Sequence, residues 1–183
     1  MSAVLEENTD RADDQTAPPV VVVGTGPVGI RFVEELLRRN PHTPLVIYGN
    51  EPWEPYNRVR LASLLSGELN FAAIQNPLKL MTHHRVVQHH DCEIVAIDRA
   101  NKTVYDRLGN CQRYSQLVLA TGSRPHIPSI EGIHHTGIHT FRNLDDAQQL
   151  IARLSRSRRA VVLGGGLLGL EAARGLQKYN TDI

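Results

Sequence analysis

"VVVVGTGPVGIRFVEELLRRN", residues 20–40, decides the fold. Val20 to Val23 form a short apolar run of the kind that makes a fully buried strand. From Pro27 to about Arg39 the apolar residues Val28, Phe32, Val33, Leu36 and Leu37 recur at helical spacing. Pro27 suits a first helical turn, and Asn40-Pro41 stops the helix. "PLVIY", residues 44–48, is the next strand, so a βαβ unit closes within about thirty residues. Gly24, Gly26 and Gly29 spell G-x-G-x-x-G directly between that first strand and its helix.

Each glycine in this pattern has its own task. The first permits a tight turn, the second lets the backbone approach a diphosphate, and the third allows close helix–strand packing. Amide groups at the helix start, reinforced by the helix dipole, then face the phosphates. An acidic side chain near the end of the second strand, about 20 residues on, holds a ribose hydroxyl. Glu51 stands at that interval, with Asn50 the next candidate.

The design returns in "AVVLGGGLLGLEAARGLQKYN", residues 160–180, with Gly164, Gly166 and Gly169 in the same spacing and Gly165 adding freedom. It predicts a strand over Ala160–Leu163 and a helix from Leu167 to about Tyr179. Two fingerprints imply two dinucleotides, and so a hydride passed between them through a flavin. Between them, residues 86–122 alternate strand-like segments with turns at Ala100-Asn101 and Gly109-Asn110. This suggests an antiparallel meander leading into a buried strand, Leu117–Leu119, which runs into Ala120-Thr121-Gly122. Two small residues around Thr121 let backbone lie against a cofactor. "NLDDAQQLIARLSRS", residues 143–157, has helical spacing. The fold class is therefore α/β: a Rossmann-like domain of parallel sheet plus antiparallel meander, then the start of a second Rossmann-like unit.

Composition narrows the function classes. In 183 residues with a formal charge of +1, no basic face points to nucleic acid, and "RSRR" at 156–159 reads as a solvated loop. Residues 1–17 carry five carboxylates against one Arg and bury too little apolar surface to order, so a disordered tail is expected. That tail lacks the pattern of a signal peptide, and no apolar run reaches a bilayer-spanning length. Cys92 and Cys111 make neither a disulfide framework nor a CxxC pair, which points to free thiols and the cytoplasm. The pairs His83-His84, His89-His90 and His134-His135 lack the spacing of metal ligands.

The order fingerprint, Ala-Thr-Gly, fingerprint resembles the two-dinucleotide-binding flavoproteins, also called pyridine nucleotide-disulfide oxidoreductases. Within them, "EPWEPYNRVRLASLLSG" (51–67) and "VVLGGGLLGLEAA" (161–173) are similar to the flavin-binding part of the NAD(P)H-dependent nitrite reductase large subunit. Rubredoxin and ferredoxin reductases are similar too, less closely. The resemblance implies FAD on Gly24, Gly26, Pro27, Gly29 and Glu51, with Ala120, Thr121 and Gly122 packed beside it. It also implies Arg58 near the flavin, the backbone of Ile94 against adenine, and NAD(P)H on Gly164, Gly166 and Gly169, with Glu171 toward the nicotinamide. The implied activity is hydride transfer from NAD(P)H to FAD, then electrons to an acceptor. That acceptor is a sirohaem and iron–sulfur module in the nitrite-reductase reading, a small iron protein in the alternative.

Departures from the family are informative. Residues 54–67 hold no redox cysteine, so the thiolate chemistry of the disulfide reductases has no carrier. Ferredoxin-reductase relatives read Y-x-R-x-x-L-S-K, whereas "YNRVRLAS" puts Ser63 at the lysine position. The loss of a Glu–Lys pair suggests that Arg58 or Arg60 approaches Glu171 instead. The expected organisation is an incomplete FAD-binding domain over 18–143 and the beginning of an NAD(P)-binding domain over 144–183. An acidic residue for the second ribose would fall beyond Ile183, so a truncated chain is expected. Weak FAD binding, no turnover, and partly exposed Leu167, Leu168, Leu170 and Leu176 follow. A reading of a different class, a non-catalytic nucleotide-binding module, stays open.

Overall fold

A computed structural model describes residues 17–154, 156–179 and 181–183; the acidic segment before Ala17 lies outside the described residues. Strand β1 (Val20–Val23) passes through the glycine turn into helix α1 (Pro27–Arg39) and returns as β2 (Leu45–Tyr48). A 3-10 turn over Arg58–Arg60 runs into α2 (Leu61–Leu65), followed by α3 (Phe71–Ile74) and β3 (Val86–His89). Next come β4 (Ile94–Asp98), β5 (Thr103–Asp106), β6 (Cys111–Arg113) and β7 (Gln116–Leu119), then α4 (Leu144–Leu154) and α5 (Leu167–Gln177).

The main sheet has the order β3-β2-β1-β7, with every pairing parallel. β-Branched valines suit a strand flanked on both sides, and all four residues of β1 are buried. Alternation then sorts the side chains by face. Val20, Val22, Leu45 and Ile47 pack with Val33 and Leu37 of α1, while Val21, Val23, Val46 and Tyr48 pack with Val104 and Tyr114 beside the meander. The result is three layers: helix, parallel sheet, and the antiparallel sheet β4-β5-β6.

Three expectations are corrected here. Val86–His89 was expected within the meander, but it pairs in parallel with β2, from Leu45↔Val86 to Tyr48↔His89. An apolar run shows that a strand is wanted, not which neighbour it takes. The buried face of α1 is Gly29, Ile30, Val33 and Leu37, rotated from the face read in the sequence, so Val28 stands 73% exposed. The close approach at Gly29 turns that side of the helix toward the sheet. The strand expected at Leu117–Leu119 is only half covered, with Leu119 at 60% exposure.

The expected strand Ala160–Leu163 does not form a ladder; among the described residues this region makes only an isolated parallel bridge, Arg159↔Asp182. Ala160 N–H donates to the Asp182 carbonyl at 2.8 Å, and Asp182 N–H to the Arg158 carbonyl at 2.9 Å. A strand is defined by its neighbours' hydrogen bonds, and among the described residues only 181–183 lie alongside. Helix α5 is nonetheless anchored on α2. A Cβ at Gly175 would lie 3.3 Å from Leu65 Cγ, and the Tyr179 hydroxyl donates to the Leu65 carbonyl at 2.9 Å. Leu176 is buried there with Leu65, Leu154 and Ala172, against the expectation of exposure, whereas Leu167, Leu168 and Leu170 are exposed as expected. Among the described residues, no helix is long and apolar enough to cross a membrane.

The β5–β6 hairpin shows how a buried carboxylate stands in for a backbone partner. Asp106 accepts from the amides of Leu108 (2.9 Å) and Asn110 (2.8 Å), from the Asn110 side-chain amide (2.8 Å) and from the Cys92 thiol (3.6 Å). The Asn110 side-chain bond is the main cause that holds its carboxyl below the ordinary 3.8. A group whose pKa falls on folding stabilises the fold above its unfolded value, and that support is lost as pH drops through the folded value. Acidification below about pH 4 is therefore expected to lower the thermal midpoint. Asp106→Ala should be less stable at pH 7 and lose less on going to pH 3, as followed by circular dichroism.

Candidate functional site

β1 has β2 on one side and β7 on the other, so the connections leave its carboxyl end in opposite directions. That divergence is where open α/β sheets bind their ligands. Gly24 follows β1 at this edge: its N–H donates to the Tyr48 carbonyl at 2.8 Å, while Ala120 N–H donates to the Val23 carbonyl at 2.8 Å. Gly24 has φ of +118°, accessible to glycine at little cost, and a Cβ there would overlap the Ala120 carbonyl. A Cβ at Gly29 would overlap the Gly24 carbonyl oxygen. Gly24 and Gly29 are thus required by the chain itself.

Gly26 differs. It caps α1 with extended geometry and no side-chain hydrogen bond, and a Cβ there would meet only Arg58 Nε, at 3.8 Å. Pro27 and Val28 beyond it are exposed. Proline supplies no N–H, so the first helical amides able to donate are those of Val28 and Gly29. Open space before an uncapped helix start fits a diphosphate. The residues present therefore suit the adenine dinucleotide that the sequence implied.

Glu51 lies at the end of the β2 connection with its side chain only 11% exposed. Its Oε2 accepts from the Tyr56 hydroxyl at 2.6 Å and its Oε1 from Arg58 Nη2. A carboxylate offers about four acceptor positions, so two remain open to further donors. Asn50, the other candidate, is exposed. The Asp91 and Cys92 amides donate to the carbonyls of Glu51 (3.0 Å) and Gly49 (2.8 Å), which draws the start of β4 and Ile94 beside this segment. Thr121 and Gly122 continue from Ala120 as exposed chain, with Gly122 at φ of +71°.

Arg58 is committed to Glu51 rather than to Glu171. Among the described residues, neither Arg58 nor Arg60 bonds to Glu171, which is exposed on α5 without an ion pair. Arg60 instead lines a concavity of about 370 Å³ with Pro27, Arg31 and Glu34. Tyr56 was missed in the sequence. No local pattern shows that a tyrosine five positions after the acid turns back to it.

The second hairpin copies the first. Gly164 has φ of +130°, Gly166 caps α5 in extended geometry without a side-chain bond, and a Cβ at Gly169 would overlap the Gly164 carbonyl oxygen. One element has no counterpart: a Cβ on Gly24 would overlap the Ala120 carbonyl, whereas a Cβ on Gly164 would meet nothing within 4 Å among the described residues. The described residues contain no group of three or more His, Cys, Asp or Glu able to hold a metal ion, and Cys92 and Cys111 are free thiols.

Comparisons with known proteins agree with this arrangement. The family model described as pyridine nucleotide-disulphide oxidoreductase matches residues 18–183. The assimilatory nitrate reductase electron transfer subunit of Bacillus subtilis is 37% identical over 90% of this chain and 22% of its own length. The nitrite reductase [NAD(P)H] of the same organism is 36% identical over 90% of this chain and 21% of its own length. The chain therefore spans about a fifth of the length of these relatives. NADH:rubredoxin oxidoreductase from Clostridium acetobutylicum superposes with a TM-score of 0.80 at 22% identity, covering 91% of this chain and 43% of that one, and so shares the fold.

Proposed function

Because the chain belongs to the pyridine nucleotide-disulphide oxidoreductase family, whose members bind FAD and NAD(P)H, we propose that it is the dinucleotide-binding part of an FAD-dependent NAD(P)H oxidoreductase. The observation that carries this reading is the pair of glycine hairpins with matching backbone geometry, each opening onto an uncapped helix. FAD would lie on the turn of Gly24, Gly26, Pro27 and Gly29, with its adenosine ribose on Glu51. Arg58, expected near the flavin, would instead lie beside the diphosphate, because it pairs with Glu51 next to Gly26. Ile94, Ala120, Thr121 and Gly122 would border it. NAD(P)H would lie on Gly164, Gly166 and Gly169, with Glu171 beside it. The domain division is then 18–143 for FAD and 144–183 for the start of the NAD(P) unit.

When bound, the flavin supplies the redox chemistry, taking hydride from the nicotinamide and passing electrons to an acceptor. The chain's own residues bind and orient: bare amides meet phosphate charge, and the Glu51 carboxylate accepts from ribose. The similarity to a nitrate reductase electron transfer subunit and to a nitrite reductase of Bacillus subtilis favours an acceptor in nitrate or nitrite reduction. For it the family resemblance implies a sirohaem and iron–sulfur module, and we place the protein in the cytoplasm. A small iron protein, as the resemblance to rubredoxin and ferredoxin reductases implies, is the alternative acceptor.

A second reading, nucleotide binding without turnover by the chain alone, is favoured by the second hairpin. Val161 is 94% exposed and Leu163 is exposed beside it, so among the described residues no sheet lies beneath that hairpin. Titrating the purified protein with FAD should quench flavin fluorescence saturably and raise the thermal midpoint, while NADH or NADPH is not steadily oxidised. No saturable binding would remove the FAD assignment; sustained NAD(P)H oxidation would remove the claim that this stretch does not turn over.

A further inference from the structure

Tyr56 joins two parts of the chain that the sequence keeps 88 residues apart. It is 5% exposed, among Leu61, Ile74, Leu144 and Ala147. Its hydroxyl donates to Glu51 Oε2 at 2.6 Å and accepts from the Leu144 amide, the first residue of α4, at 3.0 Å. The direction is not a free choice. An amide N–H can only donate, so the single phenolic proton is left for the carboxylate. Burial first, and the Glu51 bond second, push the phenol above its ordinary value, so the donor persists through neutral pH. Arg58 completes the group, with Cζ 5.1 Å from the Tyr56 ring centroid.

The amino end of α4 is itself held firmly. Asp146 accepts from the amides of Arg142 (2.7 Å) and Asn143 (3.3 Å) and from the Thr140 hydroxyl (3.1 Å). The Asp146 amide donates back to Asn143 Oδ1 at 2.8 Å, a reciprocal cap. Trp53 Nε1 donates to Asp145 Oδ1 at 3.2 Å. The Leu144 amide is therefore a fixed reference point, and the Tyr56 hydroxyl transmits it to Glu51.

We propose that Tyr56 is a positioning residue for ribose recognition, fixing the Glu51 carboxylate by tying it to the amino end of α4. The proposal rests on the reading of Glu51 as a ribose ligand. It predicts that ribose affinity depends on where α4 sits, which couples the first dinucleotide site to the helix that leads into the second unit.

The test compares ADP with 2′-deoxy-ADP by calorimetry on the full 183-residue chain. The ratio of their dissociation constants reports the hydrogen bond to the ribose hydroxyl, and a bond to a carboxylate gives a ratio of about tenfold or more. In Tyr56→Phe, with cooperative unfolding retained, that ratio should shrink at least about threefold. A purely structural role would weaken both ligands alike and leave the ratio unchanged, which would overturn the proposal. A wild-type ratio of one would instead remove Glu51 as the ribose ligand, and the proposal with it. Should Tyr56→Phe not fold, hydrogen exchange of the Leu144 amide in the wild-type chain decides. ADP should slow it, and an unchanged rate would overturn the coupling.

Discussion

Gly29→Val is expected to abolish or severely weaken cooperative folding, while Gly26→Ala leaves stability nearly untouched and removes most of the FAD affinity. The two positions share a motif and differ in what surrounds them. At Gly29 a Cβ would run into the Gly24 carbonyl and would also lie 3.4 Å from Ala120 Cβ, so α1 must retreat from β1. That retreat unpacks Val33 and Leu37 from Val20, Val22, Leu45 and Ile47. Overpacking of this kind costs about 3 kcal/mol or more, a large share of a typical domain's 5–15 kcal/mol. Gly26 has ordinary extended angles and open space around it. A methyl there should change stability by about 0.5 kcal/mol or less, but it occupies the volume where a diphosphate would touch the backbone. FAD affinity is expected to fall at least about tenfold. Urea unfolding and flavin fluorescence separate the two effects, and wild-type FAD affinity in Gly26→Ala would show that no diphosphate lies against that glycine.

The same contrast explains what was legible in the sequence. β1, the glycine turn, α1 and β2 are continuous in the chain, and β1 pairs directly with β2, so spacing and residue type were enough. The meander strands β4, β5 and β6 were legible for the same reason, since turns at Asn101 and Gly109 join them. β3 was not, because its place beside β2 is set by a long connection through two short helices that carry little periodicity. Ala160–Leu163 differs for another reason. Its residues favour a strand, but propensity is realised only when a neighbour supplies the ladder. In the candidate site the glycines and Glu51 could be found from interval alone. Tyr56 and the partner of Arg58 could not, since they depend on how 51–58 folds back and on α4, far along the chain.

The Arg58 pairing leads to the second large effect. Its Nη2 binds Glu51 Oε1 while its Nε lies 3.8 Å from the position a Gly26 Cβ would take, so one guanidinium reaches the acid and the edge of the diphosphate space. The side chains are 24% and 11% exposed, which makes the pair substantially desolvated. Removing one partner of such a pair leaves a charge without compensation. Arg58→Ala is expected to destabilise the fold by about 1–3 kcal/mol and to lower FAD affinity by about ten- to a hundredfold, because a charge-assisted donor to phosphate is lost along with the anchor of Glu51. Adding Glu51→Gln removes the stranded carboxylate, so the double variant should regain part of the stability while FAD binding stays weak or falls further. Coupling in stability between the two substitutions should be about 0.5–3 kcal/mol. A double variant whose stability losses simply add would mean that the two side chains do not interact in solution. Full FAD affinity in Arg58→Ala would mean that the guanidinium serves Glu51 alone.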